Sequence, residues 1–294
     1  MPRFEITLPY YGDVALMQDA VRSVLAQDGD DWRLTVVDDG REPDVPGWFE
    51  RLADPRVRYY RNERNLGVTG NFNRCVELAE YEYLVLMGSD DLMHPDYLSV
   101  VRRAAERQPG AAMIQPGVQV IGSDGLPYDT LADRTKRLLY APRGPERAVL
   151  DGEPLAVSLL RGNWLYFPSV CWRTEAVRRF GFRPDLGVIQ DLALVIDLLV
   201  AGERLAVTPE VCFKYRRHAA SESSATAYTG CRFEEAKRFF RETADRLTAF
   251  GWPHAARVSR RHLSSRLHAL TLLPAATRHA GAPGAAAMLR HVFR

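Results

Sequence analysis

Two pairs of adjacent acids stand at the ends of apolar runs: Asp38 and Asp39 after "RLTVV", and Asp90 and Asp91 within "YLVLMGSDDLMHPDYL". Neighbouring carboxylates repel and lose hydration near a core, so each pair needs a cation, hydrogen-bond donors or open solvent. A hard divalent ion such as Mg²⁺ or Mn²⁺, bound by one or two carboxylates plus phosphate oxygens, would meet that need at Asp90 and Asp91. The competing reading is that Ser89 or Asp90 caps the following helix and that Asp38 only supports its turn. A further acid, Asp191, opens the very apolar "QDLALVIDLLVAG". On residue type alone it is a negative charge favouring a helix dipole.

The surrounding pattern says what must position these groups. "FEITLP", "RLTVVDDG", "VRYYRN", "YEYLVLM" and "AAMIQPGVQVIG" read as strands. Between them "DVALMQDAVRSVLAQ", "GNFNRCVELA" and "HPDYLSVVRRAAERQ" read as helices, the last with Pro95 near its first turn. Such alternation implies right-handed βαβ units and a mostly parallel sheet. Ligands bind such sheets beyond the carboxyl ends of the strands, which puts both acid pairs on one edge. Residues 122–150 form a turn-rich excursion. "EPLAVSLLRG" and "TEAVRRFG" read as helices, the second capped by Thr174 and ended by Gly181, with "PSVCWR" a strand between them. "RLAVTPEVCFKYRRH" is extended, and two or three helices follow Ala220.

Composition narrows the class. Across 294 residues, 46% hydrophobic and 26% charged residues fit a folded globular chain. Four scattered cysteines with no CxxC pair argue against a zinc module or disulfide framework. The N-terminus lacks the pattern of a secretory signal and no stretch is long enough to cross a bilayer, so the expectation is a cytoplasmic protein. The net charge of +2 hides an asymmetry: residues 230–294 carry twelve basic residues against four acids, leaving −6 for the rest. That tail would suit an anionic acceptor, an anionic membrane surface or nucleic acid, or simply face water and pair with the acidic body. Nucleic acid ranks low without a recognised binding motif.

Several motifs stand in order along the chain: "TLPYYG", "VVDDG", "NLGVTGNFN", "MGSDD", "GVIQDLALVIDLL" and "YRRHAASES". Together they resemble family 2 glycosyltransferases of the GT-A fold over roughly residues 3–224. The resemblance implies an α/β, Rossmann-like, mostly parallel mixed sheet flanked by helices, with a GT-A domain over 1–225 and a basic helical extension over 226–294. It implies that Pro9 and Tyr11 flank a nucleotide base and that Asp39 accepts a base N–H, with uridine or thymidine favoured. Asn65 and Gly67 would shape the loop by the ribose and diphosphate, supported by Asn73 from the helix. Asp90 would meet the ribose or a metal-bound water, while Asp91 and His218 would hold Mn²⁺ or Mg²⁺; Arg216 and Arg217 would help hold the diphosphate. Ser89 stands where the family's DxD element has its first acid.

The resemblance makes Asp191 the base, with Gln190 replacing the first acid of the usual pair. In "RGNWLYFPSVCW", Trp164, Tyr166 and Phe167 would line an acceptor entrance or pack in the core. The expectation is an inverting, metal-dependent transfer from a nucleoside-diphosphate sugar to a glycan, lipid-linked or small-molecule hydroxyl, with peripheral contact at the inner membrane face through the tail. The alternative is a non-catalytic nucleotide- or glycan-binding relative in a surface-polysaccharide assembly complex. A sugar-nucleotide pyrophosphorylase would show a glycine-rich loop with a basic residue after the first strand, and a dinucleotide oxidoreductase GxGxxG; "LPYYGDVALM" has neither.

Overall fold

The computed structural model describes residues 2–128, 149–217 and 231–293. The first half is built as its apolar pattern requires. Strands β1 (Phe4–Tyr10), β2 (Trp32–Asp38), β3 (Val57–Arg61) and β4 (Tyr83–Leu86) pair in parallel in the order β3-β2-β1-β4. Helices α1 (Val14–Leu25), α2 (Val45–Leu52) and α3 (Gly67–Leu78) connect them. Helix α2 has no counterpart in the sequence reading, because Pro46 and Gly47 in its first turn resemble a loop. Its proline sits where a missing N–H costs nothing.

Beyond β4 the sheet becomes mixed. A two-residue β5 (Leu92–Met93) leads into α4 (Tyr97–Arg107), then β6 (Ala111–Ile121), β7 (Val149–Leu150), α5 (Gly152–Arg161), β8 (Cys171–Arg173), α6 (Thr174–Phe180), α7 (Gln190–Val200) and the long β9 (Arg204–Arg216). Strand β8 inserts antiparallel between β4 and β6, while β6 and β9 run parallel and β5 lies antiparallel on the end of β9. Three helices close the chain: α8 (Cys231–Phe250), α9 (Pro253–Arg261) and α10 (Leu263–Phe293), the last kinked at Gly281.

Period-two alternation assigns each strand two faces. Phe4, Ile6, Leu8 and Tyr10 pack with α1, α2 and α4, whereas Leu84 and Leu86 turn toward α3, α5, α6 and α7. That second core also takes Ala236, Phe239, Phe240 and Leu247 of α8 and Ala255 and Ala256 of α9. Full burial of a Phe or Leu contributes about 1.5–3 kcal/mol each, so these two helices are cemented to the sheet layer.

Two helix starts differ from the reading. Helix α6 begins at Thr174 with Arg173 as its flanking residue, and the Thr174 hydroxyl donates to the Tyr81 carbonyl instead of capping. Asp96 flanks the start of α4, with β5 intervening after Asp91, so neither Ser89 nor Asp90 caps that helix.

Candidate active site

The carboxyl ends of β1 and β2 carry Tyr11 and Asp39 side by side, since the Asp39 amide donates to the Tyr10 carbonyl at 2.8 Å. Tyr11 is 66% exposed at the mouth, and Pro9 is half-buried beneath it. Asp39 itself is buried. Its carboxylate accepts from Asn62 Nδ2 at 2.8 Å, from the Leu66 amide at 2.8 Å and from the Gly67 amide at 2.9 Å. Asn65 closes the loop from outside, donating to the Asp39 carbonyl at 3.1 Å and accepting from the Gly67 amide at 3.0 Å. Gly67 has φ +71°, a conformation that excludes most side chains. The loop 65–67 is therefore wrapped around Asp39, and each of its carboxylate oxygens meets two donors, the Leu66 amide being shared between them.

Asn71, not Asn73, braces this loop from α3: it accepts from Asn62 at 3.1 Å and donates to the Val37 carbonyl at 3.0 Å. Asn73 lies two positions on, roughly 200° around the helix, and exchanges hydrogen bonds with the Phe182 backbone instead. Asp38 is structural: fully buried, it takes Arg61 Nε at 2.8 Å, the Gly40 amide at 2.7 Å and the Tyr59 hydroxyl.

The second acid pair lies in the tight turn between β4 and β5. Asp91 is 1% exposed. Its Oδ1 accepts from the Arg216 amide at 2.8 Å, because β5 pairs antiparallel with the end of β9 and brings residue 216 alongside. Its Oδ2 is buried, with no hydrogen-bond partner among the described residues. Desolvation, then the neighbouring Asp90, pushes the Asp91 carboxyl well above its usual range, against the lowering effect of Arg216. Gly88 is required here: a Cβ at that position would sit 2.5 Å from Asp91 Oδ2. Arg216 is itself buried and spends its guanidinium on the carbonyls of Asp90, Gly122 and Ser123. It therefore braces the acid turn rather than reaching toward a diphosphate.

These residues fit a divalent cation by the chemistry of the donor set. A buried carboxylate oxygen without a donor, beside a second acid, is what a hard cation would compensate. Among the described residues no group of three or more His, Cys, Asp or Glu side chains could hold a metal ion. His218 lies outside the described residues.

Asp191 stands in the first turn of α7 and its Oδ2 accepts from Asn163 Nδ2 at 2.9 Å. Tyr215 is next to Arg216 on β9. Burial chiefly pushes its phenol up, and the charges of Asp91, Asp90 and Asp191 raise it further against the lowering effect of Arg217. Tyr166 packs on that ring, centroids 5.3 Å apart.

The rest of the aromatic stretch is core. Trp164 is 7% exposed and donates to Ser158 Oγ at 3.0 Å, so it offers no face to a sugar. Phe167 packs among Phe72, Trp172 and Phe182. Gln190 is buried behind Asp191, its Oε1 without a partner among the described residues. Asn163 and Tyr215 had no signal of their own in the sequence; only their places inside "RGNWLYF" and "YRRH" pointed near them.

Residues 5–161, more than half of the chain, match the sequence profile of the family described as Glycosyl transferase family 2. The chain belongs to glycosyltransferase family 2. This family 2 glycosyltransferase is 27% identical over 218 residues to succinoglycan biosynthesis protein ExoO of Rhizobium meliloti, covering 73% of this chain but 61% of ExoO. Its fold matches S. aureus TarS 1-349 in complex with UDP-GlcNAc at TM-score 0.71 and 14% identity, over 99% of this chain and 81% of that one. It also matches mannosyltransferase PcManGT of Pyrobaculum calidifontis, in complex with GDP-Man and Mn²⁺, at TM-score 0.57 and 16% identity, over 98% and 79% of the two chains. The glycosyltransferase has the GT-A fold, a mixed sheet of nine strands among the described residues flanked by helices, and its relatives include proteins of polysaccharide biosynthesis.

Proposed function

We propose that this glycosyltransferase moves a sugar, with inversion, from a uridine or thymidine diphosphate donor to an acceptor hydroxyl, with Mn²⁺ or Mg²⁺ bound at Asp91. What supports the reading is a buried Asp91 oxygen that has no hydrogen-bond partner among the described residues and lies beside a second acid, in a chain that matches the family 2 profile. When bound, the cation would offset negative charge on the departing diphosphate. Asp91 would hold it, with Asp90 toward the ribose and His218 completing the set. Tyr11 and Pro9 would flank the base, and Asp39 would accept a base N–H.

Asp191 would take the proton from the acceptor hydroxyl as that oxygen attacks the anomeric carbon and the diphosphate leaves from the opposite face. The Asn163 amide holds the carboxylate in one orientation through its hydrogen bond. Tyr166, packed on Tyr215, would border that acceptor.

A thermal-shift screen of uridine, thymidine and guanosine diphosphates tests the donor side. The pyrimidine nucleotides should raise the melting temperature with Mn²⁺ and much less without it. Unchanged melting with all of them would remove the nucleotide assignment. Binding without any turnover would favour the non-catalytic relative, a reading to which Gln190 in place of an acid points.

For the acceptor side we propose peripheral contact with an anionic bilayer facing the cytoplasm, where a lipid-linked acceptor would be presented. Leu263, Leu267 and Leu270 recur at helical spacing on α10 and are 61%, 58% and 41% exposed. Arg161, His254, Arg257 and Arg261, together with one acid, Glu153, line a groove of about 380 Å³ between α5 and α9. Residues 246–294 contain eight arginines and no acid, the composition of a surface-lying amphipathic element. Among the described residues no helix is long and apolar enough to cross a membrane. The protein should co-sediment with vesicles containing phosphatidylglycerol, not with neutral ones, and Leu267→Glu should weaken this several-fold. Equal recovery in the supernatant with both vesicle types would dispose of the contact.

A further inference from the structure

Helix α7 carries the proposed base in its first turn, yet nothing within its own sequence caps it. Ile189 occupies the capping position and has no side-chain acceptor to offer. The acceptor comes instead from α8, almost fifty residues downstream. Glu235 Oε2 accepts from the Gly187 amide at 2.8 Å, and Glu235 Oε1 accepts from the Val188 amide at 2.9 Å and the Ile189 amide at 3.1 Å. Three successive peptide planes leading into the helix are thus fixed by one carboxylate.

The same segment is gripped from other sides. Thr69 Oγ1 of α3 donates to the Leu186 carbonyl at 2.7 Å, Asn73 exchanges hydrogen bonds with Phe182, and Arg238 donates to the Asp185 carbonyl at 2.7 Å. Of these partners only Glu235 contacts the residues that directly enter α7. Its negative charge at the positive end of the helix adds to the hydrogen bonds.

We infer that Glu235 is a positioning residue that fixes the first turn of α7 and thereby aims Asp191 at the acceptor hydroxyl. The basic C-terminal helices are then a working part of the catalytic machinery, since α8 supplies the group that orients the base. The inference rests on the reading of Asp191 as that base. A proton transfer tolerates little misplacement, and displacement of about 1 Å can cost about 100-fold. Glu235 contacts neither Asp91 nor the loop 65–67 around Asp39, so its loss should fall on kcat more than on donor binding.

Steady-state kinetics of Glu235→Ala and Glu235→Gln, with Mn²⁺ and the donor found by the nucleotide screen, test this directly. Glu235→Ala should lower kcat by roughly 10- to 100-fold while donor KM stays within about two-fold. Glu235→Gln keeps one acceptor oxygen for Val188 and Ile189 and should recover most of the loss. A wild-type kcat in Glu235→Ala, or equal losses in kcat and donor affinity, would overturn the inference. Hydrogen exchange separates this from failure of the functional reading. If the wild type transfers no sugar, the function falls; amides 187–189 exchanging no faster in Glu235→Ala would refute the clamp on its own.

Discussion

Asp191→Asn should reduce kcat by about 10²- to 10⁴-fold, the usual contribution of a positioned base, while the donor binds as before. At 10³-fold the lost transition-state stabilisation is about 4 kcal/mol. The substitution is nearly isosteric, and the new amide oxygen can still accept from Asn163 Nδ2, so the first turn of α7 stays in place. What changes is the ability to take a proton. Initial rates of transfer at saturating donor, set beside nucleotide affinity by calorimetry, separate the two effects. A variant that turns over at the wild-type rate would remove Asp191 from the chemistry; one that loses nucleotide affinity in proportion would make it a binding residue.

Asp91→Asn should abolish metal-dependent transfer and, without metal, make the protein more stable. Buried without a partner for Oδ2, the Asp91 carboxyl is pushed well above its ordinary range, mainly by desolvation and then by Asp90. A group whose folded-state value is raised contributes its full stability at low pH and loses it as pH climbs through that raised value. Metal-free protein should therefore lose stability as pH rises above the ordinary carboxylate range, with buried Glu5, also raised by burial, acting in the same direction. Asparagine carries no charge to desolvate, so the fall should flatten. Melting of EDTA-treated protein at about pH 8 should be higher in Asp91→Asn by about 2 °C or more, the shift that about 1 kcal/mol produces in a large domain. Mn²⁺ should raise melting in the wild type only. Parallel pH curves for the two proteins, or an equal response to Mn²⁺, would show that Asp91 is neither a strained carboxylate nor the metal holder.

The parallel half of the fold is legible because its strands are short apolar runs that end in acids or glycine. The rule that ligands collect beyond the carboxyl ends then finds Asp39, Asp90 and Asp91 without coordinates. Failures begin where a residue's partner is distant in sequence. Asn71 and Asn73 are equally plausible braces on paper, and only the azimuth of α3 assigns one to the Asp39 loop and the other to Phe182. Arg216 reads as a phosphate ligand, but its burial turns it into the brace of the acid turn. Trp164 reads equally as platform or core, and 7% exposure decides for the core. Glu235 is one charge among many on a basic tail; nothing local marks it as the cap of a helix that starts at Gln190.

A complex with Mn²⁺ and a pyrimidine nucleoside diphosphate, seen by crystallography, addresses the central claim most directly. The metal should lie at about 2.0–2.2 Å from an Asp91 oxygen. The diphosphate should run from that ion into the space bounded by Tyr215, with Asp191 on the side of the departing bond opposite the nucleotide. Metal and nucleotide found together elsewhere, leaving Asp91 Oδ2 without a partner and Asp191 facing no phosphate, would contradict the account.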